Sequence, residues 1–113
     1  MFNLNKHIRT NILGLKPYSS ARTEYNGNDS ILLDANENPF GKYNRYPDHL
    51  QQELKRKVSE IKKIDIENIF IGNGSDEIID LTYRIFCNPG KDKAITFSPS
   101  YGMYEVLEKI NNI

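Results

Sequence analysis

The residues best suited to chemistry form one short run, Gly72-Asn73-Gly74-Ser75-Asp76-Glu77. Gly72 and Gly74 let the backbone turn tightly and approach a ligand with no side chain in the way. Ahead of them, Ile69-Phe70-Ile71 is a short apolar run of the kind that forms a buried strand. Behind them, Ile78, Ile79, Leu81, Thr82, Ile85 and Phe86 recur at helical spacing, which places a helix N-terminus at Ser75. The first-turn N–H groups of a helix have no partner within it, so strand, glycine turn and helix start together make an anion site. A phosphate there would be held by backbone amides and the Ser75 hydroxyl. An ordinary strand-to-helix turn has the same local pattern, and the rest of the chain must decide between the two.

Two familiar phosphate loops do not fit. No Gly-Lys-Ser/Thr follows Gly72-Asn73-Gly74, and Glu77 stands where a dinucleotide fingerprint has its third glycine. Asp76 and Glu77 would repel a dianion if they were aimed at it. Pointing away, they favour the first helical turn electrostatically. The expected ligand is a monophosphate held mainly by backbone.

The elements that must position this turn alternate along the chain. Residues 1 to 30 are polar and weakly periodic, with Pro17 breaking any helix and Tyr25-Asn26-Gly27-Asn28-Asp29 made of turn formers. Such a segment is either disordered or an arm lying on another surface. Ile31-Leu32-Leu33 predicts a short strand running into the loop Asp34-Ala35-Asn36-Glu37-Asn38-Pro39-Phe40-Gly41. Pro47 suits the first position of a helix carrying the stripe Leu50, Leu54, Val58 and Ile61 and closed by Lys62 and Lys63. Beyond the glycine turn and its helix, Asn88-Pro89-Gly90 stops the chain. Ala94-Ile95-Thr96-Phe97 then predicts a second strand, and Tyr104 to Ile110 another helix. Short apolar strands joined by crossover helices imply an α/β fold with a parallel sheet covered on both faces. Two such strands do not make a self-sufficient sheet, so the chain reads as the front of a larger protein.

Composition narrows the partners. Fifteen basic and fifteen acidic residues cancel among 113, so net charge steers the chain toward neither nucleic acid nor membrane. The single cysteine, Cys87, excludes an internal disulfide and fits a reducing compartment. At the end of an amphipathic helix it reads as a buried, inert thiol. No apolar run approaches the roughly 20 residues of a membrane span, and the first six residues lack the apolar stretch of a signal peptide. A cytoplasmic location is expected, and no metal site.

With these residues in view, the chain resembles the histidinol-phosphate aminotransferases, pyridoxal-phosphate enzymes of the aspartate-aminotransferase fold. The resemblance runs from Leu15 to about Glu108. It rests on Lys16-Pro17-Tyr18-x-Ser20-Ala21-Arg22, Leu33-Asp34-Ala35-Asn36-Glu37-Asn38-Pro39, Arg45-Tyr46-Pro47-Asp48, Gly72-x-Gly74-Ser75-Asp76-Glu77 and Pro99-Ser100-Tyr101-Gly102-Met103-Tyr104. Any one of these is a weak sign; the five in this order, at the family's spacing, are specific. The resemblance implies that Gly74, Ser75 and Asp76 hold the 5′-phosphate of pyridoxal phosphate and that Tyr101 stacks over its ring. It implies that Tyr46 reaches the same phosphate from the neighbouring subunit of a homodimer. Tyr18, Asn36 and Glu37 would line the substrate side, where histidinol phosphate meets the enzyme in exchange with glutamate and 2-oxoglutarate. Residues 1–45 would then be an N-terminal arm and substrate-side loop, and residues 46–113 the start of the cofactor-binding large domain of a fold-type I transferase. The family's Schiff-base lysine lies beyond residue 113, and the lysines present decorate a helix face or a polar loop. By itself the chain is not expected to transaminate. Related enzymes sharing the glycine turn, an aromatic aminotransferase or a threonine-phosphate decarboxylase, are the nearest alternatives. A non-catalytic phosphate-binding or interaction module is the alternative of a different class.

Overall fold

The computed structural model describes the chain except residues 1, 21–23, 26, 28, 30, 44 and 45. Ala21, Arg22 and Arg45 of the motifs, and Asn26 and Asn28 of the expected turn, lie outside the described residues. Among the described residues the α-helices are α1 (Thr10–Leu13), α2 (Gln52–Lys62), α3 (Ser75–Phe86) and α4 (Met103–Asn111), with 3-10 turns at Leu4–Lys6 and Ile66–Asn68. Two compact units contain them: Met1–Lys16 with Gly72–Ile113, and Pro17–Ile71.

In the first unit, α3 and α4 pack on each other and bury Tyr83 and Leu107, the two buried hydrophobic side chains among the described residues. The helical stripe read from Ile78 to Phe86 lies mostly half-buried around that contact. Polar bonds fix the pairing. The Asn111 side-chain amide donates to Asp80 Oδ1 at 2.7 Å and to the Leu107 carbonyl at 2.9 Å. Arg84 Nε meets Asp80 Oδ2 at 2.8 Å. The N-terminal segment is tied to the end of α3 by Arg9, whose Nη1 donates to the Arg84 carbonyl at 2.8 Å and whose backbone N–H donates to the Ile85 carbonyl at 3.0 Å. A cation at that end also suits the helix dipole.

The hydrogen bond from Asn111 holds the Asp80 carboxyl below its ordinary value; burial works against this and Arg84 adds to it. A carboxyl depressed in the fold contributes stability above its unfolded value, and that contribution is lost as pH falls through the folded value. Replacing Asp80 with Asn should therefore cost about 1 kcal/mol near neutral pH, the net scale of one such bond at a partly solvated site. The cost should shrink below pH 3.8, the ordinary carboxyl value. Hydrogen exchange of the α4 amides at neutral and acid pH measures both.

The expected strands are not formed. No backbone hydrogen bond joins residues 31–33, 69–71 or 94–97 to another extended segment among the described residues. Ile69 has the extended backbone a strand requires, φ −112° and ψ 120°. What is missing is a ladder partner, and a parallel strand draws its stability from neighbours on both sides. The side chains such a sheet would cover stand open, Ile95 at 85% exposure and Phe97 at 84%.

Helix α2 also departs from expectation, starting at Gln52 instead of Pro47. The Asp48 carboxylate accepts from the Leu50 N–H at 3.0 Å and the Gln52 N–H at 2.7 Å, while the Asp48 carbonyl accepts from the Gln51 N–H at 3.0 Å. These bonds close a turn, with Gln51 left-handed at φ 53°, and so compete with helix over residues 48–51. Of the apolar stripe, Leu54, Val58 and Ile61 fall on α2 while Leu50 is left in the turn before it, and Leu50, Leu54 and Ile61 remain exposed. Cys87 follows α3 and is half-buried, where full burial was expected; even so, burial pushes its thiol up, as Asp92 nearby does further.

Candidate cofactor-phosphate site

The glycine turn of the first unit has the geometry the phosphate reading needs. Gly74, at φ 87° and ψ 171°, immediately precedes α3, in a backbone region open essentially to glycine alone. Nothing lies within 4 Å of where a Cβ would be, so the turn faces open space. No side chain caps the helix at Gly74. Ser75 and Asp76 begin the first turn, whose amides have no intrahelical acceptors. Glu77 turns its carboxylate back to accept from the Asn73 N–H, a reach resembling the return arm of a capping box. That bond answers the electrostatic question raised by two acids at an anion site, because it commits the Glu77 charge to the turn's own backbone.

Asp76 points differently. It is half-buried, and its Oδ1 is buried with no hydrogen-bond partner among the described residues. The Asp76 carboxylate lies beside the Tyr101 hydroxyl and, with lesser burial and charge effects, raises the phenol above its ordinary value. Tyr101 is 53% exposed and meets Tyr104 edge to face, with ring centroids 6.3 Å apart. Gly74, Ser75, Asp76 and Tyr101 thus converge at the start of α3. Amides at an uncapped helix start, a side-chain-free turn and a half-exposed aromatic ring beside them fit the phosphate end of a flat, ring-bearing cofactor. Titrating the tyrosinate absorbance of the chain should show two phenols ionising above the ordinary 10.0, the buried Tyr83 and Tyr101. Asp76→Asn should bring the Tyr101 phenol back toward that value and leave Tyr83 raised, and Tyr101→Phe should leave the Tyr83 phenol alone above it. A titration curve unchanged by Asp76→Asn would mean that the carboxylate does not act on Tyr101.

The remaining predicted residues lie in the second unit. Tyr18 is 91% exposed, Asn36 is exposed and Glu37 is half-buried. Tyr46 adopts φ 47°, a left-handed value uncommon for a bulky residue. Its backbone N–H donates to Glu37 Oε2 at 2.6 Å, and its hydroxyl accepts from the Ala35 N–H at 3.3 Å. Sequence reasoning did not foresee these bonds, nor the pairing of Tyr101 with the Asp76 carboxylate. Pairings at separations of 9, 11 and 25 residues leave no periodic trace. The Glu77 bond alone had a local signal, an acid three positions after the helix cap. None of the described lysines is buried.

Comparison with known proteins matches residues 22–113 to the family described as aminotransferase class I and II. The chain is 55% identical over 114 residues to a histidinol-phosphate aminotransferase of Parabacteroides distasonis, covering 100% of this chain and 33% of that protein. A histidinol-phosphate aminotransferase of Christiangramia forsetii is 56% identical over 115 residues, with 99% of this chain and 33% of the relative covered. One from Bacteroides thetaiotaomicron is 54% identical over 115 residues, with coverage of 100% and 33%. The chain spans about a third of the length of these curated relatives, matching their N-terminal third. The family match takes in the glycine turn, Tyr46 and Tyr101 together, and on it the chain belongs to the class I and II aminotransferases.

Proposed function

We propose that this chain supplies the cofactor-phosphate turn and the substrate-side arm of a histidinol-phosphate aminotransferase. The observation carrying this reading is identity of 52–56% over essentially the whole chain to several proteins of that name. The full-length protein would exchange an amino group between glutamate/2-oxoglutarate and histidinol phosphate/imidazole-acetol phosphate. Pyridoxal phosphate, when bound, supplies the electron sink that makes such an exchange possible.

The residues of this chain bind and orient. The Ser75 and Asp76 amides and the Ser75 hydroxyl would hold the cofactor phosphate, with Gly74 keeping the approach clear. The Tyr101 ring would lie against the cofactor ring, where offset stacking adds about 1 kcal/mol beyond area. The neighbouring Asp76 carboxylate favours the protonated phenol. Tyr46, contributed to the neighbouring subunit of a homodimer, would donate its hydroxyl to the same phosphate. Tyr18 and the loop of Asn36 and Glu37 would face the substrate. Residues 1–45 act as arm and loop in this reading, and residues 46–113 open the large domain, whose parallel sheet needs strands from beyond this chain. The cytoplasm is the matching compartment.

The test uses full-length protein with pyridoxal phosphate, histidinol phosphate and 2-oxoglutarate. Glutamate should form at a rate far above that with phenylalanine, tyrosine or threonine phosphate as donor. Preference for an aromatic amino acid would move the protein to an aromatic aminotransferase, and carbon dioxide release from threonine phosphate to a decarboxylase. No turnover with any of them would overturn the enzyme reading.

A further inference from the structure

The geometry points to Glu37 as a positioning residue for Tyr46, acting within the substrate-side loop by fixing that tyrosine and not by touching substrate. The inference rests on the assignment of Tyr46 to the cofactor phosphate.

Tyr46 stands at φ 47°. A bulky residue stays in the left-handed region only where its surroundings over-determine it. Two bonds from one short loop do so. The Glu37 carboxylate accepts from the Tyr46 backbone N–H at 2.6 Å in a part-buried setting, and the Ala35 N–H donates to the Tyr46 hydroxyl at 3.3 Å. The first bond grips the backbone and the second grips the far end of the side chain, so residues 35–37 hold both ends of the tyrosine. A short bond to an ionised acceptor is the stronger kind, which makes Glu37 the firmer of the two grips. The loop sorts its side chains accordingly: Glu37 is half-buried, while Asn36 and Asn38 on either side are exposed. Asn38 accepts instead from the Phe40 N–H at 2.9 Å, shaping the loop itself.

In this arrangement the loop that faces substrate and the tyrosine that faces the cofactor phosphate are one mechanical piece. Removing the Glu37 carboxylate should let Tyr46 leave the left-handed region and swing its hydroxyl off target.

The test is a double-mutant cycle on cofactor dissociation in full-length protein, with the KM for histidinol phosphate measured at saturating cofactor. Glu37→Ala should weaken pyridoxal-phosphate retention about five- to tenfold, the scale of one lost hydrogen bond. In a Tyr46→Phe background the same change should add less than about twofold, because Glu37 acts through that hydroxyl. Glu37→Gln, which keeps an acceptor oxygen, should recover most of the loss. Unchanged cofactor retention with a raised KM in Glu37→Ala would overturn the proposal and make Glu37 a direct substrate contact. Full additivity with Tyr46→Phe would overturn it as well. Should Tyr46→Phe itself leave retention untouched, the phosphate assignment of Tyr46 fails separately. Hydrogen exchange of the Tyr46 amide then decides the positioning role: protection in the parent and Glu37→Gln with rapid exchange in Glu37→Ala supports it, and equal exchange in all three overturns it.

Discussion

Replacing Gly74 with alanine is expected to weaken binding of pyridoxal phosphate to the full-length protein by about 5- to 150-fold, corresponding to about 1–3 kcal/mol. The cause is backbone strain alone. A Cβ at Gly74 would meet no atom within 4 Å, so no clash contributes, whereas φ 87° with ψ 171° is a conformation that L side chains rarely adopt. Alanine leaves the turn two choices. It can keep the strained conformation at a cost to the folded state, or it can relax and draw the Ser75 and Asp76 amides out of line, so that ligand binding must restore the strain. Gly102 is the internal control. It also has open space around it but sits at φ −61°, an ordinary helical value, so Gly102→Ala should change affinity little. Equal affinities for Gly74→Ala and parent, with the turn intact, would remove Gly74 from the cradle.

The 113-residue chain on its own is expected to associate or to melt broadly, without a sharp transition. Its first unit buries only Tyr83 and Leu107 among the described residues. Ile31, Leu33, Ile95 and Phe97 each stand above 80% exposed on segments whose backbone has no ladder partner. Open extended edges with large apolar side chains are templates for pairing with another chain. Sedimentation and thermal circular dichroism together measure the outcome. A monomer with one cooperative melt would show that the helices make a sufficient core without the sheet.

What could be seen in the sequence divides along physical lines. The helices α3 and α4 were legible because their apolar residues repeat at the period of the helix itself, and Asn88-Pro89-Gly90 marks where α3 must end. The start of α2 was not, because the Asp48 side chain competes for the amides of Leu50 and Gln52, a choice that hydrophobic spacing does not encode. The runs at 31–33, 69–71 and 94–97 carry strand composition, but a strand exists only through its neighbours, and those are not settled locally. Tyr83 became the centre of the α3–α4 contact although the apolar stripe passed it over, since its phenol reads as polar while its ring packs. At the candidate site, the glycine turn at Gly74 and the helix start at Ser75 were legible from glycine spacing and the change of period. The contacts that hold Tyr46 and the placing of Tyr101 beside Asp76 were not, because they join residues distant in the chain.

The central claim is that the amides beginning α3 hold a cofactor phosphate. It is tested most directly by following the backbone amide resonances of Ser75 and Asp76 in full-length protein, selectively labelled, during titration with pyridoxal phosphate and with its dephosphorylated form, pyridoxal. Both amide protons should move strongly downfield with pyridoxal phosphate, as N–H groups do on bonding to an anion, and remain nearly still with pyridoxal. Saturable pyridoxal-phosphate binding that leaves both resonances in place would contradict the claim.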